Sequence, residues 1–339
     1  MPRFADLIEP LLEGRELSQD QAAELMTMLT QADTPPSQVG AALGALRVKG
    51  ATGMELAAFA QILRSQASSV ESGIEGLLDT CGTGGGAPSF NVSTAAAFIA
   101  AAAGARVAKH GNRGVTSGCG SADVLEALGA KVTGTAAQFS RVLDRVGLAF
   151  LFAPEHHPGM RHVGPARREL GFRTVFNQLG PLVNPANARR QLVGVYDSSL
   201  LRPMGEALLE LGAERAVVVH SEDGLDEVSP CAPTRYAMVW DGCLTEGVWT
   251  PDEFDIPAIP SYALLPGATP TENAHILREA ISEASSVRSK AVIPSSACAI
   301  WLAGAAPDLK SAARSAMDAV REGRALKKLL DFVSATNNV

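Results

Sequence analysis

The chain has 339 residues, 46% of them hydrophobic, enough to bury a sizeable core and to divide into two domains. Its formal net charge is -7, from 29 Lys and Arg against 36 Asp and Glu, which argues against a broad nucleic-acid or anionic-membrane surface while leaving room for local basic pockets. The five cysteines, Cys81, Cys119, Cys231, Cys243 and Cys298, form no CxxC pair and no secretory signal opens the sequence, so reduced thiols and a cytoplasmic location are expected.

Residues up to about Ser72 read as helices only. Phe4 to Leu12 is amphipathic and stops at Gly14. Ser18-Gln19-Asp20-Gln21 has capping-box form before Ala22 to Leu29, and Thr52-Gly53-Met54-Glu55 repeats it before Leu56 to Gln66. Between them Pro35-Pro36-Ser37 opens a helix through Val39 to Val48, with Gly50 as its stop. Four short helices carry more apolar surface than so small a bundle can hide, so docking on a second domain or another subunit is expected.

From Leu77 strands alternate with helices, the pattern of an α/β domain. Leu77 to Cys81 is a short strand that breaks into Gly82-Thr83-Gly84-Gly85-Gly86. After Asn91-Val92-Ser93-Thr94 comes Ala95 to Ala103, almost pure alanine and strongly helix-forming, with Ser93 or Thr94 expected as its N-cap. This run is the longest apolar stretch and is too short to cross a bilayer. Glycines ahead of a helix start let free N–H groups gather at the positive end of the helix dipole, an anion site suited to phosphate. Alone, such a turn is more often a plain strand-to-helix connection.

A second unit changes that balance. Arg106 to Ala108 reads as a strand delivering Lys109-His110-Gly111-Asn112-Arg113 and Thr116 to Ser121 to another polar loop, with a helix from about Ala122 to Leu128 capped by Ser121. Lys109 is a flexible point charge for phosphate, and hydroxyls and glycine amides add neutral donors. Two anion-binding turns at the same end of adjacent strands imply a ligand with more than one phosphate.

Ala136 to Val146 then reads as a helix and Ala149 to Phe152 as a buried strand, ending at Ala153-Pro154-Glu155-His156-His157-Pro158. No HExxH or Cys/His spacing accompanies the paired histidines, so a structural loop or a pocket wall is the better reading than a transition-metal site. Phe172 to Pro185, rich in helix stops, reads as a structural connector. Strands at Gln191 to Tyr196 and Ala216 to His220 flank a helix at Leu200 to Leu211. The second strand ends in Ser221-Glu222-Asp223-Gly224-Leu225-Asp226-Glu227, either an acidic surface turn or hard oxygen ligands for Mg²⁺ that also touches a polyphosphate. Asp241-Gly242 marks a hairpin between Pro233 to Trp240 and Leu244 to Val248. The remainder is helical: Ala274 to Ala284, Ser295 to Ala303 and Leu309 to Leu330, with a frayed tail from Ser334.

GTGG at Gly82 to Gly85, NVST at Asn91 to Thr94, KHGNR at Lys109 to Arg113 and GSADVLEALG at Gly120 to Gly129 together resemble the anthranilate phosphoribosyltransferase family of tryptophan biosynthesis. Residues Arg173 to Ala186 match its RTxFNxLGPLxNPA connector, and the likeness extends over nearly the whole chain. The resemblance implies a small all-helical domain at 1–72, joined by a helical excursion near 161–188. A larger α/β domain at 73–339 would carry a central, mainly parallel sheet flanked by helices. It implies transfer of the phosphoribosyl group of phosphoribosyl diphosphate to the amine of anthranilate, Mg²⁺ as cofactor, and a homodimer formed through the helical domain.

By position the family's anthranilate site falls on Gly82, Asn112, His156, His157 and Arg167. Its phosphoribosyl diphosphate site falls on Gly82, Gly85, Gly86, Ser89, Asn91, Val92, Ser93, Thr94, Lys109, Asn112, Ser117 and Ser121. Its metal ligands fall on Ser93, Asp226 and Glu227. No residue is expected to act as a strong acid or base. One departure stands out: where the family usually has an Asp after GTGG and a loop one residue longer, this chain has Gly86-Ala87-Pro88-Ser89, so altered diphosphate affinity is expected. Two other functions remain open: a pyrimidine-nucleoside phosphorylase of the same layout, which the HHP and DEV segments oppose, and a non-catalytic nucleic-acid-binding relative, which the acidic charge opposes.

Overall fold

The computed structural model describes residues 3–114, 118–256 and 259–339. The chain opens with four helices, α1 (Phe4–Leu12), α2 (Gln19–Leu29), α3 (Pro36–Lys49) and α4 (Gly53–Ser65). Local chemistry sets their ends. Ser18 and Gln21 exchange side-chain and backbone hydrogen bonds at the start of α2, and Thr52 and Glu55 do the same for α4. Gly50, at φ +80°, stops α3 in a conformation that a side chain would resist.

The α/β part follows as β1 (Leu78–Gly82), α5 (Val92–Ala102), β2 (Val107–Gly111), α6 (Ser121–Ala127), α7 (Ala136–Val146) and β3 (Leu148–Phe152). A helical stretch comes next, α8 (Ala153–His156), α9 (Met160–Leu170) and α10 (Val175–Leu179). Then come β4 (Arg190–Gly194), α11 (Leu201–Glu210), β5 (Arg215–Ser221), β6 (Thr234–Trp240) and β7 (Cys243–Trp249). Four helices close the chain: α12 (Pro270–Ser282), α13 (Val287–Leu302), α14 (Leu309–Arg321) and α15 (Arg324–Asn337).

The seven strands form one sheet in the order β3-β2-β1-β4-β5-β6-β7, parallel from β3 through β5 and antiparallel for the β6–β7 hairpin. The fold class implied by the resemblance is the one observed: helical N-terminal part, larger α/β part, mainly parallel central sheet. β1 lies between β2 and β4, so the turns after β2, β1 and β4 open at one edge, where ligands of open α/β sheets bind.

Two large cores, with a smaller third one around Phe139, Leu143 and Leu151, cover the sheet. On one face α5 packs against α13 and α15 around Phe98, Ile99 and Phe332. On the other, α11 lies on β5 and β6 and also against α4, so the core of the first four helices runs on into the sheet through Met204, Leu208 and Val218. The surplus apolar surface of that bundle is thus partly taken up within the chain. α9 and α10 return to pack on α3 and α4.

Two expectations fail at the C-terminus. Leu309 to Leu330 is not one helix, because Gly323 at φ +71° separates α14 from α15. The tail is not frayed: Lys131 N–H donates to Thr336 Oγ1 at 3.2 Å and Asn337 Nδ2 to the Gly129 carbonyl at 2.8 Å, bonds across about 200 residues that no local pattern announces. Among the described residues no helix is long and apolar enough to cross a membrane, and no disulfide joins the cysteines.

Candidate active site

β1 is buried until Gly82, where the chain emerges into the glycine turn. Gly84 and Gly85 take φ of +64° and +88°, a left-handed path that only glycine follows without strain. The turn leads into α5, whose N-cap is Asn91 and not Ser93 or Thr94; both lie inside the first turn of the helix. Asn91 Nδ2 donates to the Cys119 carbonyl at 3.2 Å, tying the first turn to the second. β2 runs on to Gly111, so Lys109 projects from a strand rather than from the loop beyond it. Gly120 rather than Ser121 caps α6, and Ser121 Oγ donates to the Asn112 carbonyl at 3.3 Å.

Lys109, only 3% exposed, donates to the Thr80 carbonyl and, at 3.2 Å, to Ser93 Oγ. Burial pulls its ammonium below the usual lysine range, while Asp79, Cys81 and Glu227 oppose that shift. Asp79 is fully buried beneath the turn, accepting from His110 N–H at 3.0 Å and Asn184 Nδ2 at 2.8 Å.

The acidic loop after β5 folds back over the glycine turn. Ala87 N–H donates to the Gly224 carbonyl at 2.7 Å. A Cβ on Gly86 would stand 2.7 Å from both the backbone nitrogen and a carboxylate oxygen of Asp226. Glu227 accepts from Ser93 N–H at 3.0 Å, at the positive end of α5, and from Ser295 Oγ at 3.2 Å. Burial first, and then the neighbouring Asp226, push the Glu227 carboxyl up to about 8, against the pull of Lys109. Burial also raises the Asp226 carboxyl. Lys109 pulls on Glu227 and Arg173 on Asp226, yet burial keeps both carboxyls raised, which is the electrostatic setting a hard divalent cation suits. Among the described residues no three His, Cys, Asp or Glu side chains converge into a complete metal site. The pair therefore suits an ion that takes its remaining oxygens from Ser93 and from a ligand.

A second group of predicted residues is built around buried histidines. His110 and His157 meet edge to face with ring centroids 5.2 Å apart, and His110 Nδ1 lies 3.0 Å from the Gly180 carbonyl. Burial is the main cause that drives their rings down to about 3 and about 4, so neither is charged near neutrality. Both ring nitrogens of His157 are buried, and neither makes a hydrogen bond of good geometry, with the Val183 backbone beside the ring. His156 faces the other way, its Nδ1 2.9 Å from the Ser68 carbonyl and its ring against Phe139, so the paired histidines do not share one surface. Arg167 on α9 lies with its guanidinium 5.4 Å from the Phe176 ring centre and has no acidic partner among the described residues.

Comparison with known proteins places this geometry. The helical bundle domain model of a glycosyl transferase family matches residues 5–67, and the a/b domain model of that family matches residues 75–326. Anthranilate phosphoribosyltransferase of Rubrobacter xylanophilus is 46% identical over 328 residues, covering 96% of this chain and 95% of that protein. The enzyme of Alkalilimnicola ehrlichii is 44% identical, covering 98% of both. The chain belongs to the anthranilate phosphoribosyltransferase family. A crystal structure of the Thermus thermophilus member superimposes with a TM-score of 0.91 at 38% identity, covering 98% of this chain and 99% of that one. The Saccharomyces cerevisiae member, in complex with phosphoribosyl diphosphate and Mg, superimposes with a TM-score of 0.87 at 26% identity, covering 99% and 98%.

Within this family member, Gly82, Gly85, Gly86, Asn91 to Thr94, Lys109, Asp226 and Glu227 converge on one edge of the sheet. Ser89 lies on the same turn, and Asn112 and Ser121 stand at the mouth of the second. Ser117 lies outside the described residues. Arg173, His110 and Ser295 were not among the residues singled out from the sequence, although all three touch the site. The RTxFN stretch carries the signal for Arg173, although by sequence alone it reads as a structural connector.

Proposed function

We propose that the chain transfers the 5-phosphoribosyl group of phosphoribosyl diphosphate to the amine of anthranilate, releasing diphosphate, with Mg²⁺ held by Asp226 and Glu227 and approached by Ser93 Oγ. The observation carrying this reading is the meeting of the carboxylate pair with the glycine turn: Asp226 lies against Gly86 and Glu227 against the Ser93 amide, with Lys109 alongside. Breaking the bond from C1 to diphosphate leaves positive charge on the ribose and negative charge on the leaving group, and forming the C1–N bond releases a proton from the amine to water. The residues must therefore chiefly stabilise a departing anion, which the Gly85 amide, the start of α5 and Lys109 are placed to do. When bound, Mg²⁺ supplies further charge stabilisation on the diphosphate oxygens.

An aryl amine is neutral and needs alignment more than a strong base. Arg167, half-buried and without an acidic partner among the described residues, suits the anthranilate carboxylate, because a guanidinium fork can make two parallel hydrogen bonds. The uncharged His157 and the segment from Gly82 to Asn112 would wall the ring. The test is anthranilate fluorescence: it should fall only when phosphoribosyl diphosphate, Mg²⁺ and the protein are all present. Phosphorolysis of thymidine or uridine instead would sink the assignment.

We further propose division into a helical domain of residues 1–72 with its excursion near 161–188 and an α/β domain of 73–339, and a homodimer formed through the former, in the cytoplasm. Leu12 and Val48, 65% and 90% exposed on α1 and α3, support such a contact. Sedimentation of Val48→Glu should show more monomer than the parent. A parent chain that is monomeric at micromolar concentration would count against the dimer, as would co-fractionation with secreted proteins against the location.

A further inference from the structure

The peptide linking Gly85 and Gly86 is held from both sides. On one side Arg173 Nη2 donates to the Gly85 carbonyl at 2.7 Å. The same guanidinium fills the space above Gly85, where a Cβ would come within 2.8 Å of it. It also lies over the Tyr196 ring, 4.3 Å from its centre, which keeps the planar group in one orientation. Tyr196 is anchored in turn, its N–H donating at 3.1 Å to Oγ1 of Thr83 in the glycine turn.

On the other side stands Asp226. A trans peptide points its carbonyl and its N–H in opposite directions, and no peptide among the described residues is cis. With the Gly85 carbonyl directed at Arg173, the Gly86 N–H is directed away from it, and Asp226 lies against Gly86, where a Cβ would stand 2.7 Å from its carboxylate oxygen. One rigid unit thus joins an arginine to a carboxylate that lies 53 positions further along the chain than that arginine.

We propose that Arg173 is a positioning residue for the diphosphate end of the site: by holding the Gly85 carbonyl it aims the Gly86 amide, and with it Asp226, into the shared cleft. The inference rests on the reading of the reaction given above and adds to it a residue that touches neither substrate. Arg173 immediately precedes Thr174 and α10, and α10 packs on α3 and α4. A cavity of about 570 Å³ lies beside the guanidinium, walled by Tyr196, Gln178, the turn from α3 to α4, and Pro203 and Glu206 of α11. Arg173 therefore links the helices packed on the bundle to the glycine turn.

The test uses the full chain carrying Arg173→Ala or Arg173→Lys. Arg173→Ala should raise KM for phosphoribosyl diphosphate about tenfold, the scale of one charge-assisted hydrogen bond, and leave KM for anthranilate within about twofold. Arg173→Lys, which keeps the charge but not the flat stack on Tyr196, should fall between. Amide exchange in Gly84 to Gly86, followed by mass spectrometry, should quicken about tenfold in Arg173→Ala. A purely structural arginine would lower the melting temperature with the ratio of the two KM values and the exchange of the turn unchanged, and that outcome overturns the proposal. Should Arg173→Ala fail to fold, Arg173→Lys and Tyr196→Leu make the same comparison. Should the parent chain show no turnover, the reaction reading fails, while exchange in the turn still decides the role of Arg173.

Discussion

Gly86→Ala isolates the contact on which the site is built. Gly86 does not adopt positive φ, so alanine is conformationally acceptable there and the whole cost is steric. The new Cβ would sit 2.7 Å from the Asp226 nitrogen and Oδ1 and 3.0 Å from Cγ, and since the first of these is backbone, the acidic loop must yield by several tenths of an ångström. Overpacking of this kind costs about 1–3 kcal/mol. If it falls on the geometry between the carboxylate pair and the turn, it converts to a loss of roughly 5- to 150-fold in kcat/KM for phosphoribosyl diphosphate. Gly86→Asp, although it restores the family's usual residue, should be worse: a third carboxylate about 4 Å from its neighbour adds repulsion of about 4 kcal/mol at an effective dielectric of 20. Gly84→Ala is the control, because nothing lies within 4 Å of its Cβ and its cost is the left-handed φ of +64° alone. The assay is steady-state anthranilate fluorescence with phosphoribosyl diphosphate and Mg²⁺ varied separately. Gly86→Ala with parental KM values for both would refute the claim that this contact sets the site.

The remaining predictions address the other groups of the site. Arg167→Ala should raise KM for anthranilate roughly 10- to 100-fold with little change for phosphoribosyl diphosphate, the scale of a lost bidentate charge-assisted pair; unchanged kinetics would remove Arg167 from the substrate site. Glu227→Gln should weaken Mg²⁺-dependent turnover yet stabilise the metal-free protein at pH 9 by about 0.5–2 kcal/mol, because it removes a buried ionised group; a lower melting temperature there would contradict the charge-crowding account. His110 and His157 have folded values of about 3 and about 4, below the usual 6.5. Below pH 6.5 the unfolded chain binds protons that the folded chain refuses, so their contribution to stability is present above that pH and is lost as pH falls toward 4. His157→Gln should flatten the fall in melting temperature between pH 7 and pH 5, and an unaltered slope would refute the assignment.

Much of this architecture is legible in local sequence. The reciprocal caps at Ser18 and Gln21 and at Thr52 and Glu55 appear where the motifs place them, and Asp241-Gly242 turns the β6–β7 hairpin with both residues at positive φ. These features depend on residues within one turn of each other, so the sequence nearby contains the whole cause. Assignments at the helix starts were weaker. Asn91 caps α5 because the turn reaches the helix two residues before the first hydroxyl, Ser93, and Gly120 caps α6 one residue before Ser121.

The order of strands and helices, the glycine turns and the residue types able to grip phosphate and metal were thus determined by the sequence alone. What only the tertiary structure decided is which of them meet: Ser93 with Glu227 across 134 positions, and Arg173 with Gly85 across 88. Both meetings follow from β4 entering the sheet beside β1, which brings the ends of β1, β4 and β5 to one edge. Hydrophobic periodicity specifies that a strand is buried but not which strand it lies beside, because apolar contact has no direction and the pairing is chosen by the packing of the whole core.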